Sequence, residues 1–396
     1  MGAMREEKLT NPIEPGRREV NDDPGVVITR SNPVAPDPRV EKIAHVLQGK
    51  GYRVSIVAWD RSGQFLEQES LEGIHIRRLS IIAEYGRGLA NLIPLVRWQV
   101  ELLRWLWTHR HEYKVIHACD FDTVLPAILM QQLKKKKVVY DVFDFYADML
   151  RATPEWIKQL VRKVDLWVMG RVDGVFLVDH CRLEQIKGSH PKNLAVVYNT
   201  PEDIADELAE STRFNKPESQ LHIVFVGLLQ VERGLFELLD VLEKHPEWSL
   251  DIAGFGGDQH QIVERAKERA NVRFLGRMAY QDALALNQTA DVLFAMYDPG
   301  ILNHRYASPN KLFEAMMLGK PIVVARGTGM DRIVASEGCG IVVPYGERTS
   351  LEQALMKLAN QPDLRETLGS AARQAYEEKY SWHHQKSTVL EFYANL

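Results

Sequence analysis

The segment with the clearest chemical potential begins at Ser308 and reads SPNKLFEAMMLGKP. A small polar residue before proline predicts the start of a helix, with Ser308 as the N-cap and Pro309 in the first turn. The free backbone N–H groups of Asn310 and its neighbours, together with the helix dipole, suit a diphosphate. Lys311 adds a positive charge, and Glu314, one turn further, can accept hydrogen bonds from two ribose hydroxyls. The alternative, which the residues alone leave open, is an ordinary surface helix.

The composition is that of a globular chain with no bias toward a polyanionic partner. Of the 396 residues, 45% are hydrophobic and 26% are charged, and the net charge is −4. This length predicts two domains, and the charge balance gives no reason to expect nucleic acid as a partner. The cysteines, Cys119, Cys181 and Cys339, are far apart and form no C-x-x-C pair. A disulfide framework or a zinc site is therefore not expected, and a location in the reducing cytoplasm is.

Strand and helix signals alternate along the chain. A strand at 25–29, a helix with apolar residues at positions 40, 43, 44 and 47, and a strand at 52–58 form a βαβ opening, which predicts a parallel sheet. Further strands are predicted at 115–118, 137–141, 174–178 and 194–198, and then at 221–226, 249–253, 272–275, 292–295, 322–325 and 340–343. Helices are predicted between them, including 88–110, 122–133, 154–171 and 235–244, and the final helical stretch, 350–396, is broken near Tyr380.

This order predicts an α/β protein made of two doubly wound, Rossmann-like domains that face a central cleft. We expect a polar tail over 1–24, an N-terminal domain over 25–199, a polar, acidic linker over 200–219, a C-terminal domain over 220–378 and a final helix over 379–396. The first 25 residues have no apolar core, so a signal peptide is not expected, and no apolar run is long enough to span a membrane. Ligands of such sheets bind at the carboxyl ends of the strands, which makes the cleft the expected site.

The segment SPNKLFEAMMLGKPIVVA resembles the donor-site motif of family 4 glycosyltransferases, which have the two-domain GT-B fold. The resemblance covers residues 25–390 and depends on the order and spacing of several short motifs. They are Asp37-Pro38-Arg39-Val40, Val115-Ile116-His117-Ala118-Cys119-Asp120, Val139-Tyr140-Asp141, Val197-Tyr198-Asn199-Thr200-Pro201, Phe225-Val226-Gly227, Glu232-Arg233-Gly234, Ile252-Ala253-Gly254-Phe255-Gly256, Phe274-Leu275-Gly276-Arg277 and Tyr380-Ser381-Trp382. It implies an N-terminal acceptor domain, a C-terminal donor domain and a last helix that packs back on the N-terminal domain.

The resemblance also implies roles for residues that would hold the donor. Glu314 would bind the ribose hydroxyls, and backbone N–H groups between Ser308 and Lys311 would bind the diphosphate. Arg233, where the family usually has lysine, would act with Lys311 as a catalytic cation on the leaving diphosphate. Fixed cations and dipoles stabilise the negative charge that builds up as the sugar–phosphate bond breaks, so no metal and no cofactor are expected.

A second group of residues would surround the donor base and the phosphates. The resemblance puts Gly227 in the first loop of the C-terminal domain, and it implies that backbone atoms of Arg277 and Met278, beside Gly254, read the base. Recognition of the base by backbone atoms leaves little trace in a sequence. UDP is therefore expected over GDP only from the common use of UDP in the family.

Three positions depart from the family pattern. Tyr306 replaces the first of two glutamates that the family separates by seven intervening residues, Leu228 replaces an arginine, and Phe143 replaces a histidine. The first departure removes a contact to the donor sugar. The second leaves Arg233 and Lys311 to carry the phosphate charge.

Recognition of the acceptor is expected in the N-terminal half, where the resemblance is weakest. Asp144 is the candidate to accept a proton or to bond the acceptor, and Asp120 and Asn199 are further candidate contacts. His304 and Tyr306, which come just before the donor motif, are candidates to touch the donor sugar or the acceptor.

The D-x-D sequence at 120–122 has an alternative interpretation as a metal site. Two carboxylates at this spacing suit Mg²⁺ or Mn²⁺. The sequence follows a strand of the first half, however, and is far from the donor motif, so a strand-end cap or an acceptor contact is expected instead.

Two other stretches leave a membrane contact open. Residues 92–107 contain three tryptophans and two arginines, and residues 134–137 are four lysines. The simpler interpretation is a core helix with arginines that extend to the surface, followed by a solvated lysine run. The alternative is docking on an anionic membrane, and the expected location is then the inner membrane face rather than the cytoplasm alone.

These observations favour a glycosyltransferase that moves a hexose from a UDP-sugar to a hydroxyl of a saccharide or lipid-linked acceptor, with retention and without metal. Because function lies in the site rather than in the fold, two alternatives remain. One is a UDP-sugar 2-epimerase, and the other is a non-catalytic partner that binds a nucleotide sugar within a glycosylation complex.

Overall fold

The computed structural model describes residues 25–84, 91–150, 153–210 and 213–396, which form two sheets with helices on both faces of each. The predicted tail over 1–24 lies outside these residues, as do positions 88–90 of the predicted helix and 211–212 of the predicted linker. Within the described ranges, no helix combines the length and the apolar character needed to cross a bilayer.

The N-terminal half builds an eight-stranded sheet. Its strands are β1 (Gly25–Arg30), β2 (Arg53–Asp60), β3 (Gln68–Leu71), β4 (Ile74–Ser80), β5 (Val115–Cys119), β6 (Lys137–Val142), β7 (Gly174–Leu177) and β8 (Leu194–Val196). The spatial order is β3-β4-β2-β1-β5-β6-β7-β8, and every pairing is parallel except that of β3 with β4. The β3–β4 hairpin is missing from the predicted strands because β3 buries no residue, and β4 buries Arg78 where alternation calls for an apolar side chain.

Among the described residues of this half, six helices occur. They are α1 (Pro38–Gly49), α2 (Leu92–Thr108), α3 (Phe121–Lys134), α4 (Tyr146–Met149), α5 (Glu155–Met169) and α6 (Arg182–Gln185). The backbone N–H of Val40 donates to the Asp37 carboxylate at 3.4 Å, and Pro38 occupies the first turn, so α1 has both features of a strong helix start. The helices α2, α3 and α5 share one core cluster, while α1 contributes to the cluster on the opposite face of the sheet.

The C-terminal half builds a six-stranded, fully parallel sheet with the order β11-β10-β9-β12-β13-β14. The strands are β9 (Leu221–Leu228), β10 (Trp248–Phe255), β11 (Val272–Gly276), β12 (Val292–Ala295), β13 (Ile322–Ala325) and β14 (Gly340–Val343). The helices are α7 (Ala205–Ala209), α8 (Leu235–Lys244), α9 (Gln259–Lys267), α10 (Tyr280–Gln288), α11 (Leu302–Arg305), α12 (Asn310–Met317), α13 (Gly329–Glu337), α14 (Arg348–Asn360) and α15 (Pro362–Ala375). Each strand predicted in this half is present.

The last helix, α16 (Trp382–Ala394), packs back on the N-terminal half, as the resemblance implied. The Phe392 ring lies 4.6 Å from the ring of Phe176 on β7, and a His117 ring nitrogen lies 2.8 Å from the Tyr393 hydroxyl. The backbone N–H of Tyr198 also donates to the side chain of Gln385 at 3.0 Å. The end of the chain thereby joins the two halves.

The strand order reverses once in each sheet, between β1 and β5 and between β9 and β12. At such a switch point the loops diverge to opposite faces and leave a crevice at the carboxyl ends of the strands. The prediction of two doubly wound α/β units is therefore confirmed. The two crevices are where the site should be sought.

Candidate functional site

Two glycines shape the crevice of the C-terminal half. Gly227 on β9 and Gly254 on β10 are register partners, with φ of 151° and 141°. A Cβ atom on Gly254 would lie 1.8 Å from the Gly227 carbonyl oxygen, and a Cβ atom on Gly227 would lie 2.7 Å from the Lys311 Nζ. Both positions therefore require glycine, and the bare end of β9 leaves room for the Lys311 side chain to lie across it.

Lys311 holds its ammonium group against aromatic rings. The Nζ lies 3.8 Å from the ring centroid of Phe225 and 6.0 Å from that of Tyr297. Burial lowers the pKa of Lys311 to about 7, and the nearby Arg233 charge acts in the same direction. A bound anion would reverse this shift, which makes the ammonium a receptive partner for a phosphate.

Arg233 shares the same aromatic ring. It ends a short 3₁₀ turn, Val231–Arg233, directly after β9, and its guanidinium lies 3.8 Å from the Tyr297 ring centroid. The guanidinium also donates to the Gln230 side chain at 3.3 Å, but its Nη1 is buried and has no hydrogen-bond partner among the described residues. A buried donor without a partner is costly, and a ligand oxygen would satisfy it.

Glu314 is the buried carboxylate of this crevice, with 6% of its surface exposed. The Asn287 amide donates to it at 3.4 Å. Burial raises the pKa of Glu314, while the Tyr280 hydroxyl and the charges of Lys311 and Lys42 oppose that rise. Because Glu314 follows Lys311 by three residues on α12, the two side chains share one face of the helix.

The start of α12 differs from its prediction. The helix begins at Asn310, and the N-cap position is occupied by Pro309, whose extended backbone (ψ 147°) prevents the helix from starting earlier. Ser308 is thus not the N-cap, and its buried hydroxyl has no partner in the described part of the chain. The first-turn N–H groups remain free of intrahelical partners, as at any helix start. The Ser308 hydroxyl adds one more group that a ligand could satisfy.

The residues expected near the base follow the neighbouring strands. Arg277 and Met278 come directly after β11, and the Arg277 guanidinium lies 4.6 Å from the ring centroid of Phe255 at the end of β10. Met278 packs in part against the core of this half. These residues therefore lie at the carboxyl ends of the strands next to Gly254, where the resemblance puts base recognition.

In the N-terminal half, Asp120 follows β5 with a positive φ of 66°. Its carboxylate pairs with Arg30 at the end of β1, and it accepts the backbone N–H of Phe143 at 3.0 Å. Burial raises the pKa of Asp120 to about 7 despite the arginine. The Arg30 guanidinium also lies 4.0 Å from the Phe143 ring, so this aromatic residue supports the cluster.

Asp144 links the two halves across the cleft. One of its oxygens accepts hydrogen bonds from Arg182 at 2.9 Å and from Asn303 on α11 at 3.0 Å. Its side chain remains 41% exposed. The Asn303 Oδ1 is buried and has no partner among the described residues.

The other candidate contacts occupy different environments. His304 is buried, its Nδ1 lies 3.1 Å from the Asp298 carbonyl, and its ring meets Tyr297 edge to face at 5.3 Å. Tyr306 is half-buried at the end of α11. Asn199, in the crossing between the sheets, has a buried Oδ1 without a partner in the described residues. His304 is thus beside the ring that carries the two cations.

One buried cluster has the geometry of a metal site. Ligand atoms of His117, Cys119 and Asp141 lie within 4.8 Å of one another. The Arg39 guanidinium donates to both Asp141 oxygens, at 2.8 and 2.9 Å, and the His117 ring contacts the Tyr393 hydroxyl and the Asp141 carboxylate. These bonds engage both Asp141 oxygens and both His117 ring nitrogens, so two of the three side chains already have protein partners. The cluster therefore serves to anchor α16 on the N-terminal sheet.

Four residues of the C-terminal crevice carry no motif in the sequence. Tyr297 lies two residues after β12, at the switch point, so the rule for strand ends in doubly wound sheets could have found it. Asn287 and Tyr280 lie on α10, and Lys42 lies on α1 of the other half. Their approach to Glu314 depends on helix packing, which leaves no local signal.

Two family models together cover most of the chain. The model described as a glycosyl transferase 4-like domain matches residues 35–200, and the model described as glycosyl transferases group 1 matches residues 206–375. The chain belongs to this glycosyltransferase family. The resemblance carried by the segment 308–325 is thereby confirmed, and the boundary between the matches falls in the crossing between the two sheets.

Relatives of this glycosyltransferase support the same assignment. D-rhamnosyltransferase WbpZ of Pseudomonas aeruginosa is 32% identical over 161 residues, which are 40% of this chain and 41% of the relative. The GDP-mannose-dependent monoacylated α-(1-6)-phosphatidylinositol monomannoside mannosyltransferase of Corynebacterium glutamicum is 26% identical over 243 residues, 57% of this chain and 62% of the relative. The chain spans about half the length of the curated relatives it matches.

A solved structure covers the chain more fully. HepE of Anabaena, in complex with UDP, aligns with 94% of this chain and 100% of its own, with a TM-score of 0.72 and 16% identity. This similarity establishes the GT-B fold of the family member described here.

Proposed function

We propose that the protein transfers a hexose from a nucleotide sugar to a hydroxyl acceptor, with retention of anomeric configuration and without metal. The observation that carries the proposal is the pair of cations on the Tyr297 ring. Within the described ranges, Arg233 has a buried guanidinium nitrogen without a partner, and Lys311, beside the start of α12, has a lowered pKa. Two cations near the single carboxylate of Glu314 leave a net positive charge that a diphosphate would neutralise.

The proposed reaction follows from this arrangement. The bond between the anomeric carbon and the diphosphate oxygen breaks, and the negative charge that develops on the diphosphate is stabilised by Arg233, Lys311 and the α12 N-terminus. The acceptor oxygen forms the new bond on the same face of the sugar. Its proton passes to a carboxylate, for which we propose Asp144, because its side chain is partly exposed and contacts residues of both halves.

The donor is proposed to be a UDP-sugar. Glu314 would accept the ribose hydroxyls, and the strand ends at Gly254 and Arg277 would flank the base. The UDP complex of the structurally similar HepE supports uracil, whereas the GDP-mannose dependence of the Corynebacterium relative is a specific reason to test guanine. We propose a saccharide or lipid-linked acceptor and a cytoplasmic location, which the three unpaired, buried cysteines support.

Binding and turnover assays test the proposal directly. Thermal shift against UDP-, GDP- and dTDP-sugars identifies the base, and NMR of the product made with excess EDTA tests both retention and metal independence. An inverted anomer, or loss of activity in EDTA that Mg²⁺ restores, would contradict the mechanism. A UDP-sugar incubated alone that yields an epimer would favour the 2-epimerase, and binding without any transfer or hydrolysis would favour a non-catalytic partner.

Arginine at position 311 should remove most of the pH dependence of UDP binding. With a pKa of about 7, Lys311 becomes neutral as the pH rises above that value, and bound diphosphate must then restore its proton. Wild-type affinity should therefore fall by up to about tenfold for each pH unit above 7. The variant Lys311→Arg remains charged and should lack this slope. Calorimetry measures the UDP affinity of wild type and variant across this pH range. Protonation of UDP itself affects both proteins equally, so parallel pH profiles would contradict the role of Lys311 in binding the diphosphate.

A further inference from the structure

The helix α2 is apolar on two faces. Its buried face carries Trp98, Leu102 and Leu106, which pack against the N-terminal sheet. On the opposite side Ile93 is 82% exposed, and Val96, Val100 and Trp107 follow it at spacings of three, four and seven residues. Such spacing puts them in one stripe along the helix. A helix that faces water on one side has no need of this second stripe.

The neighbouring helices extend the stripe into a surface. Trp156 on α5 is 68% exposed, and Leu160 and Trp167 lie on the same helix face at spacings of four and seven residues. On α3, which packs between α2 and α5, Leu129 and Leu133 are exposed at a spacing of four residues. All three helices cover the same face of the sheet, so their outer sides form one surface, which we call the α2–α3–α5 face. Contiguous apolar exposure of this kind marks an interaction site.

Basic side chains accompany the apolar ones. Arg97 and Arg104 are exposed along the edge of the α2 stripe, and lysines occupy 134–137 at the end of α3. The Lys134 ammonium lies 4.2 Å from the Trp107 ring, and on α5 the Arg171 guanidinium lies 5.0 Å from the Trp167 ring. Acidic residues on these helices include Glu101, which is half-buried, and Glu155, which pairs with Lys158 at 3.8 Å. The rim of the face is therefore cationic.

A cleft opens at the end of α5, beside Trp167. It has a volume of about 470 Å³ and is lined by Lys163, Arg171 and His190 as well as by the indole ring. A lysine, an arginine and an imidazole next to an apolar ring match a phosphate at a water–hydrocarbon boundary. The apolar stripe and the cationic cleft thus point to the same class of partner.

We propose that the α2–α3–α5 face docks on an anionic lipid surface, with the apolar stripe entering the interface and the basic rim contacting the headgroups. A second copy of the chain would fit less well, because a symmetric contact brings like-charged rims together. A lipid surface satisfies both the apolar stripe and the cations at once. The inference concerns where the protein acts and does not depend on the identity of its donor.

Vesicle flotation of the full chain tests this proposal. Wild-type protein should float with vesicles of equal parts phosphatidylcholine and phosphatidylglycerol, should float far less with phosphatidylcholine alone, and should be released as salt increases. The double variant Arg97→Glu, Arg104→Glu should weaken binding by at least about 30-fold, since each lost cation near such a surface contributes about 1 kcal/mol and each glutamate adds repulsion. The double variant Ile93→Glu, Val100→Glu should reduce binding to background. Both variants change exposed side chains, so circular dichroism and the melting temperature should be unchanged.

Matched controls come from the other half of the chain. Met356 and Lys357 on α14 are exposed, and their replacement by glutamate should leave flotation unchanged. The proposal is overturned if wild-type protein fails to bind the anionic vesicles, or if the α2 variants bind as well as wild type. It is equally overturned if sedimentation shows a wild-type dimer that the α2 variants dissociate, because the face then belongs to a second copy. The α2 variants should still transfer sugar from the nucleotide sugar when no vesicles are present. That result would show that they fail to dock and that their donor site is intact.

Discussion

Replacing Arg233 with alanine should lower kcat by about 100- to 10,000-fold while leaving the melting temperature unchanged or higher. The guanidinium is held over the Tyr297 ring, and one of its nitrogens has no partner among the described residues, so its removal relieves a buried, unsatisfied charge in the protein without donor. In the proposed transition state the same nitrogen would contact the departing diphosphate, so its loss should cost most where the negative charge is largest. If Arg233 had only a structural role, its replacement would lower the melting temperature and leave kcat unchanged.

Steady-state kinetics and thermal unfolding of Arg233→Ala measure both quantities. Arg348→Ala is a matched control, because Arg348 is exposed on α14 and pairs with Asp240 at 2.8 Å, away from the crevice residues. Its kcat should equal that of wild type. A lower melting temperature for Arg233→Ala with kcat unchanged would remove Arg233 from the reaction and leave it as a packing residue.

Replacing Glu314 with alanine should abolish transfer and weaken UDP binding by about 100-fold or more, because two hydrogen bonds to a charged acceptor are lost. Glu314→Gln keeps the volume and one acceptor oxygen, so it should retain part of the affinity. The loss of negative charge should also move the pH dependence of binding downward, since the field of Glu314 supports the protonated state of Lys311. Both variants should remain folded, because burial already disfavours this carboxylate.

Calorimetry with UDP at two pH values and a transfer assay check these outcomes. Glu366→Gln, on the exposed side of α15, is the corresponding control and should bind UDP as wild type does. Full activity of Glu314→Ala would show that the ribose site lies elsewhere. Loss of activity with unchanged UDP affinity would instead assign Glu314 to the sugar or the acceptor.

The departures from the family pattern have a physical counterpart in the structure. Leu228, where the family often has arginine, is exposed at the end of β9, and Phe143 lies beneath the Arg30 guanidinium instead of offering a hydrogen bond. The crevice therefore has Arg233 and Lys311 as its cations on the Tyr297 ring. Because the charge at this ring depends on these two side chains, a single substitution of either is expected to have a large effect.

Some features could be predicted because they are local. Alternating strand and helix signals indicated parallel sheets, and the spacing of Lys311 and Glu314 put them on one face of α12 in any helix. The predicted N-cap at Ser308 was wrong for an equally local reason. Pro309 holds an extended backbone, so the helix begins at Asn310. The β3–β4 hairpin was missed because its buried Arg78 breaks the apolar alternation.

By itself, the sequence determined two alternating halves, the donor helix and the family to which they belong, because periodicity and short motifs depend on neighbours along the chain. Only the tertiary structure brought Arg233 and Lys311 to the same side of Tyr297, joined Asp144 to Asn303, and left one apolar stripe of α2 uncovered. These contacts depend on strand order and on which helix faces find a partner. That is decided by packing between distant segments, for which a single sequence carries no local signal.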